Sequence, residues 1–66
     1  MTFRKVKTKS KNEFIWKSND AKVYVIDNPL AGWDVVIQYE GNETIENFPN
    51  KKEAIRYAKK WMDENY

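Results

Sequence analysis

The sequence contains no cysteine and no histidine, and Leu30 is its only leucine among 66 residues. Without cysteine there is no disulfide framework and no thiolate nucleophile, and without histidine as well the usual zinc ligand sets are excluded. The side chain that normally titrates near neutral pH is missing, so Ser10 and Ser18 have no imidazole to activate them. No catalytic residue is assigned, and the expectation is a protein that is not an enzyme and uses no metal and no cofactor. One leucine also argues against a leucine-faced helical bundle. Residues 1–11 are basic and polar, with no apolar stretch of about 7 to 15 residues, so they read as neither a signal peptide nor a membrane anchor. A cytoplasmic protein with no membrane association is expected.

What is present is aromatic. Phe, Trp and Tyr make up 15% of the chain, which suits a sheet with bulky cross-strand pairs and leads to the expectation of an aromatic core. A chain of 66 residues is short for even one domain and leaves nothing over for a second. Folding at this size hides only about 60% of the unfolded surface, so each large apolar side chain counts.

Asn50 followed by Glu53 matches a helix N-cap with a carboxylate at the third helical position. Beyond it Ala54, Ile55, Ala58, Trp61 and Met62 recur at spacings of three and four, which predicts an amphipathic helix over residues 50–64. Asp63 and Glu64 oppose the macrodipole at its end, and Lys59 and Lys60 offset them only in part, so the last turn is expected to fray. Upstream, Trp33, Val35, Ile37 and Tyr39 alternate with Asp34, Val36 and Gln38, the period of a strand. A turn at Gly41 and Asn42 returns the chain as a second strand ending at Phe48, before Pro49. With that loop Tyr39 faces Thr44, Val35 faces Phe48, and Glu40 meets Glu43 in a like-charge pair, which leaves the register open.

Phe14, Ile15 and Trp16, a Ser18-Asn19-Asp20 turn, and Val23 to Ile26 read as another hairpin, closed by Asp27-Asn28-Pro29. Phe3 and Val6 are isolated among basic residues and fit either an edge strand or an arm. The expected architecture is therefore α+β: an antiparallel sheet of three to four strands with one C-terminal helix packed on one face. All of it lies in a single domain, with residues 1–11 as basic arm or edge strand, 13–48 as antiparallel strands and 50–64 as helix. One helix covers one face only, so aromatic residues on the other would be exposed.

The net charge of +2 conceals strong segregation. Residues 1–22 carry a net of +5, residues 23–50 a net of −5 with no Lys or Arg, and residues 51–66 a net of +2. Glu40, Glu43 and Glu46 read as solvated hairpin charge rather than as acid-base machinery or a calcium loop. The candidate site is a phosphate-binding strip of Arg4, Lys5, Lys7, Lys9 and Lys11, extended by Lys17 and Lys22, with Trp16 as a stacking neighbour. Alternation would put Lys5, Lys7, Lys9 and Lys11 on one side of an extended segment. The same pattern suits a solubilising edge strand, or an arm neutralised by the chain's own acidic hairpin. Trp33 and Trp61 fall on the strongest apolar stripes and are expected in the core, whereas Trp16, Tyr24, Tyr39 and Tyr57 fit either core or an exposed platform.

Gly32-Trp33-Asp34-Val35-Val36, followed by Phe48-Pro49-Asn50-Lys51-Lys52-Glu53-Ala54, resembles the strand-to-helix junction of the arm-type DNA-binding domains of phage-type integrases. The resemblance spans residues 32–61 and implies a small three-stranded sheet backed by a helix, with the sheet entering the major groove. Here the corresponding strands carry no Lys or Arg, so any nucleic-acid contact falls to the N-terminal strip or the helix. The functional expectation is an accessory nucleic-acid-binding module. The alternative is a protein-protein interaction module, a homodimer included, that uses the acidic hairpin or exposed sheet aromatics.

Overall fold

Asn50 starts the helix as its sequence position implies. Its side-chain Oδ1 accepts the backbone N–H of Glu53 at 2.9 Å, and its carbonyl accepts that of Ala54 at 3.2 Å. In the computed structural model, which describes residues 3–9 and 11–65, this helix α1 runs Lys51–Asn65 after five strands. These are β1 Arg4–Val6, β2 Glu13–Lys17, β3 Ala21–Asn28, β4 Gly32–Tyr39 and β5 Asn42–Phe48. They form one antiparallel sheet in the order β1-β2-β3-β4-β5, and no strand pair needs a crossover. The class is α+β, with one strand more than the three to four expected. The additional strand is β1, the segment that could have been arm or edge strand.

Each turn has a local cause. Between β2 and β3, Ser18 N–H donates to the Ala21 carbonyl at 2.9 Å, and Ala21 N–H returns to Ser18 Oγ at 3.2 Å. Between β3 and β4, Asn28 Oδ1 accepts Leu30 N–H at 3.1 Å, an Asx turn that lets Pro29 follow without strain. Between β4 and β5 the turn residues are Glu40 and Gly41, at φ +51° and +80°, rather than Gly41 and Asn42. Two left-handed residues in succession suit a two-residue hairpin, whose twist then matches that of its strands. The register moves accordingly: Tyr39 lies opposite Asn42, Ile37 opposite Thr44, Val35 opposite Glu46 and Trp33 opposite Phe48. Glu40 is thereby removed from the ladder, and Glu43 meets Gln38, whose Nε2 donates to its Oε1 at 3.0 Å. The like-charge pair is avoided.

The helix packs over β3, β4 and β5 and leaves the same side of β1 and β2 uncovered by backbone. Beneath it Val23, Val25 and Val35 are completely enclosed, together with Ile37, Ala54, Ala58 and Met62. The core is aliphatic, which corrects the expectation of an aromatic one. Ala54 and Ala58 carry the smallest side chains of the helix stripe, and β-branched valines fill the shallow space opposite. Rings occupy the periphery of that space because two layers of this size cannot close around them. Trp33, Trp61, Phe3, Phe14, Trp16, Tyr39, Phe48 and Tyr57 are all half-buried and packed against the cluster. Trp61 sits edge-on to both Phe3, at 6.1 Å between ring centres, and Tyr39, at 5.6 Å.

Among the described residues no layer covers the opposite sheet face. Register and alternation place Val6, Ile15, Tyr24, Val36 and Ile45 side by side on it, one from each strand. Ile26 extends this apolar row toward β2 and β4. On one side the row is flanked by Arg4, Lys17, Lys22, Gln38 and Glu43, and on the other by Glu13, Asp34 and Asn47. Asp34 is held on both oxygens, by Asn28 Nδ2 at 3.2 Å and Asn47 Nδ2 at 2.8 Å.

Candidate nucleic-acid interface

Alternation along β2 sends Phe14 and Trp16 to the helix side, where the helix backbone does not reach them. Their rings stack at 6.3 Å between centres with an interplanar angle of 20°. Lys5, opposite Trp16 in the β1–β2 ladder, projects to the same side and brings its Nζ to 5.2 Å from the centre of the Phe14 ring. From the first turn of the helix, Lys51 Nζ approaches the same ring to 5.1 Å. Each ammonium gains about 0.5–1 kcal/mol from the ring quadrupole. The two nitrogens are then no more than about 10 Å apart, within one Debye length at 0.1 M salt, and repel each other. An anion drawn to this point would relieve that repulsion.

The β1–β2 connection adds to it. Thr8 Oγ1 donates to the Glu13 carbonyl at 3.2 Å and pins the connection across the end of β2. Lys5, Val6, Lys7, Thr8, Lys11 and Phe14 wall a depression of about 360 Å³ there, together with Glu13. Lys7, Lys9 and Lys11 are exposed.

The structure divides the strip expected from sequence into three groups. Lys5 and Trp16 lie on the helix side, Lys7, Lys9 and Lys11 lie in the connection, and Arg4, Lys17 and Lys22 form a row on the open face. The alternation that would have aligned Lys5, Lys7, Lys9 and Lys11 stops at Val6, where β1 ends. Residues 1, 2 and 10, which include Ser10, lie outside the described residues of that segment. Tyr24 is on the open face, whereas Tyr39 and Tyr57 are on the helix side. The acidic trio separates too: Glu40 is in the turn, and Glu43 and Glu46 occupy strand positions of opposite face. Among the described residues no group of three Asp or Glu side chains is placed to hold a metal ion.

Sequence reasoning missed Phe14 and Lys51 as members of the site. Phe14 reads as one more apolar strand residue, and Lys51 belongs to the helix, 46 positions from Lys5. Only the stacking of helix on sheet brings them together.

The sheet order also decides where the acidic segment goes. With β1 at one edge and β5 at the other, the basic N-terminal strand does not lie against the acidic β4–β5 hairpin. The sheet order thus keeps β1 away from that hairpin, whereas Lys22 lines one depression with Glu40 and Glu43. Among the described residues no helix is long and apolar enough to cross a membrane. Neither family models, nor curated proteins, nor solved structures gave a match to this chain.

Proposed function

We propose that the protein is a non-catalytic accessory module that contacts nucleic acid through the uncovered helix side of β1 and β2. The observation that carries this reading is the convergence of Lys5 and Lys51 on Phe14, beside the stacked Trp16. Lys7, Lys9 and Lys11 extend the positive surface along the connection. Aromatic faces bordered by cations suit a single strand, whose bases are free to stack and whose phosphates follow the lysines. A duplex offers no such bases. The reading keeps the N-terminal lysines and Trp16 of the sequence-based site, adds Phe14 and Lys51, and leaves Arg4, Lys17 and Lys22 to the other face. The resemblance to integrase arm-type domains bears on the architecture more than on the activity, since the corresponding strands carry no Lys or Arg.

Fluorescence anisotropy with a mixed-sequence single-stranded oligonucleotide tests it. Affinity is expected to fall steeply with salt, and the double change Lys5→Gln, Lys51→Gln to lower the slope of log K against log salt by about 1.4, from two phosphate contacts on a single strand. Absence of binding at low salt rejects the reading.

A further inference from the structure

The open sheet face presents Val6, Ile15, Tyr24, Val36 and Ile45 as one unbroken apolar row crossing all five strands, with Ile26 beside it. Ile45 is 60% exposed, and helix α1 packs on the other side. We propose that this face is the interface of a homodimer, in which two copies pack sheet to sheet about a twofold axis perpendicular to the strands. The inference rests on other observations than the nucleic-acid reading, which centres on Lys5, Phe14, Trp16 and Lys51 on the opposite side, and the two share only Val6 and Glu13 at the depression beside the β1–β2 connection.

Charge complementarity selects a second copy and fixes the orientation. A twofold axis laid along the apolar row superposes each strand on its equivalent in reverse direction and brings one flank of the row over the other. Lys17 then faces the partner's Glu13, and the partner's Lys17 faces Glu13. Lys22 lies over the partner's Ile26, between the partner's Glu13 and the partner's Asp34. Gln38 faces the partner's Asp34, and Glu43 faces the partner's Asn47, so no two like charges meet. The other face-to-face twofold, parallel to the strands, would set Arg4 against the partner's Glu43, but also Lys22 against the partner's Lys22 and Glu13 against the partner's Asp34, so that its like-charge contacts outnumber its opposite-charge ones. Electrostatics therefore disfavours it.

The same pairing accounts for a feature that is unfavourable in one copy. Arg4, Lys17 and Lys22 are direct cross-strand neighbours on adjacent strands. Like charges so placed destabilise a sheet. A carboxylate from a second copy converts that row from a cost into a contact. The area is sufficient: five strands at about 4.8 Å spacing and six residues at about 3.4 Å cover about 500 Å² on each copy. About 1,000 Å² in total is the lower end for a specific association, so dissociation should fall in an accessible concentration range.

Sedimentation velocity on the full chain over a wide concentration range tests the proposal. A dimer dissociating on dilution is expected, and it should persist at high salt because the apolar row carries most of the contact. Val36→Lys, at the middle of the row, and Ile45→Lys, on the exposed edge strand, should each give monomer with an unchanged circular dichroism spectrum. Lys17→Glu places opposite charge beside Arg4 and Lys22 within one copy and should leave the circular dichroism spectrum unchanged. It should nevertheless raise the dissociation constant about tenfold or more, as should Glu13→Lys, and the double reversal Glu13→Lys, Lys17→Glu should restore it. A monomer at every concentration overturns the proposal, as does a dimer that survives Val36→Lys. Failure of the double reversal to rescue overturns the orientation, and loss of oligonucleotide binding in folded Val36→Lys would assign the face to nucleic acid instead.

Discussion

Gly32 and Gly41 both adopt left-handed backbone, at φ +94° and +80°, but their surroundings differ. A Cβ on Gly32 would collide with the Phe48 carbonyl oxygen and stand 3.2 Å from that of Pro49, whereas one on Gly41 would meet nothing within 4 Å. Backbone atoms cannot step aside as a side chain can. Gly32→Ala should therefore lose at least about 2 kcal/mol, while Gly41→Ala should lose only the left-handed penalty of about 1 kcal/mol. Urea unfolding of the two variants checks the order. Asn50 acts at the same scale: with its Oδ1 bonded to Glu53 N–H, Asn50→Ala should cost about 1 kcal/mol in the same measurement.

At the scale of elements, the helix meets the sheet through Ala54, Ala58 and Met62, on a floor of Val23, Val25, Val35 and Ile37. Among the described residues no ring is fully buried in this layer, and small and β-branched side chains set its depth. Ala58→Leu should overpack it, at about 1–3 kcal/mol, and thermal unfolding would show the loss. At the far end of the helix, Asn65 Nδ2 donates to the Trp61 carbonyl at 2.9 Å, and Lys60 reaches Glu64 at 3.9 Å. The second is an exposed pair that adds little. β1 is the weakest element, because three residues pair with one neighbour only and the helix does not cover them. Hydrogen exchange should release the amides of Arg4–Val6 long before those of β3, which is paired on both sides and roofed by the helix.

At the scale of the whole molecule, the sheet order carries the segregation of charge along the chain into space. Basic β1 and the acidic β4–β5 hairpin end at opposite edges, and the helix adds Lys51 to the basic side. The two surfaces proposed here differ in their response to ionic strength. Between about 50 and 200 mM salt, oligonucleotide affinity should fall in proportion to the number of phosphates engaged. Over the same range the sedimentation coefficient at fixed high concentration should stay constant, since apolar burial is not screened. A joint loss of both would mean that one surface serves both ligands.

Local signals determined the helix: a cap at Asn50, a stripe at spacings of three and four, and Pro49 before it can be read within one stretch of chain because their physics acts within a few residues. The alternation through Trp33 to Tyr39 was legible in the same way, since burial on one face imposes period two. β1 was not, because three residues carry too few alternations to separate a strand from an arm. The β4–β5 turn was not either. Glycine signals a turn, but the choice of Glu40 as its left-handed companion depended on the pairing of Gln38 with Glu43 across the completed ladder. Tertiary structure alone decided which side of the sheet the helix would roof. That choice encloses the valines, leaves the rings at the rim, joins Lys51 to Lys5 over Phe14, and turns five apolar residues of five strands outward, because burial depends on what arrives from distant parts of the chain.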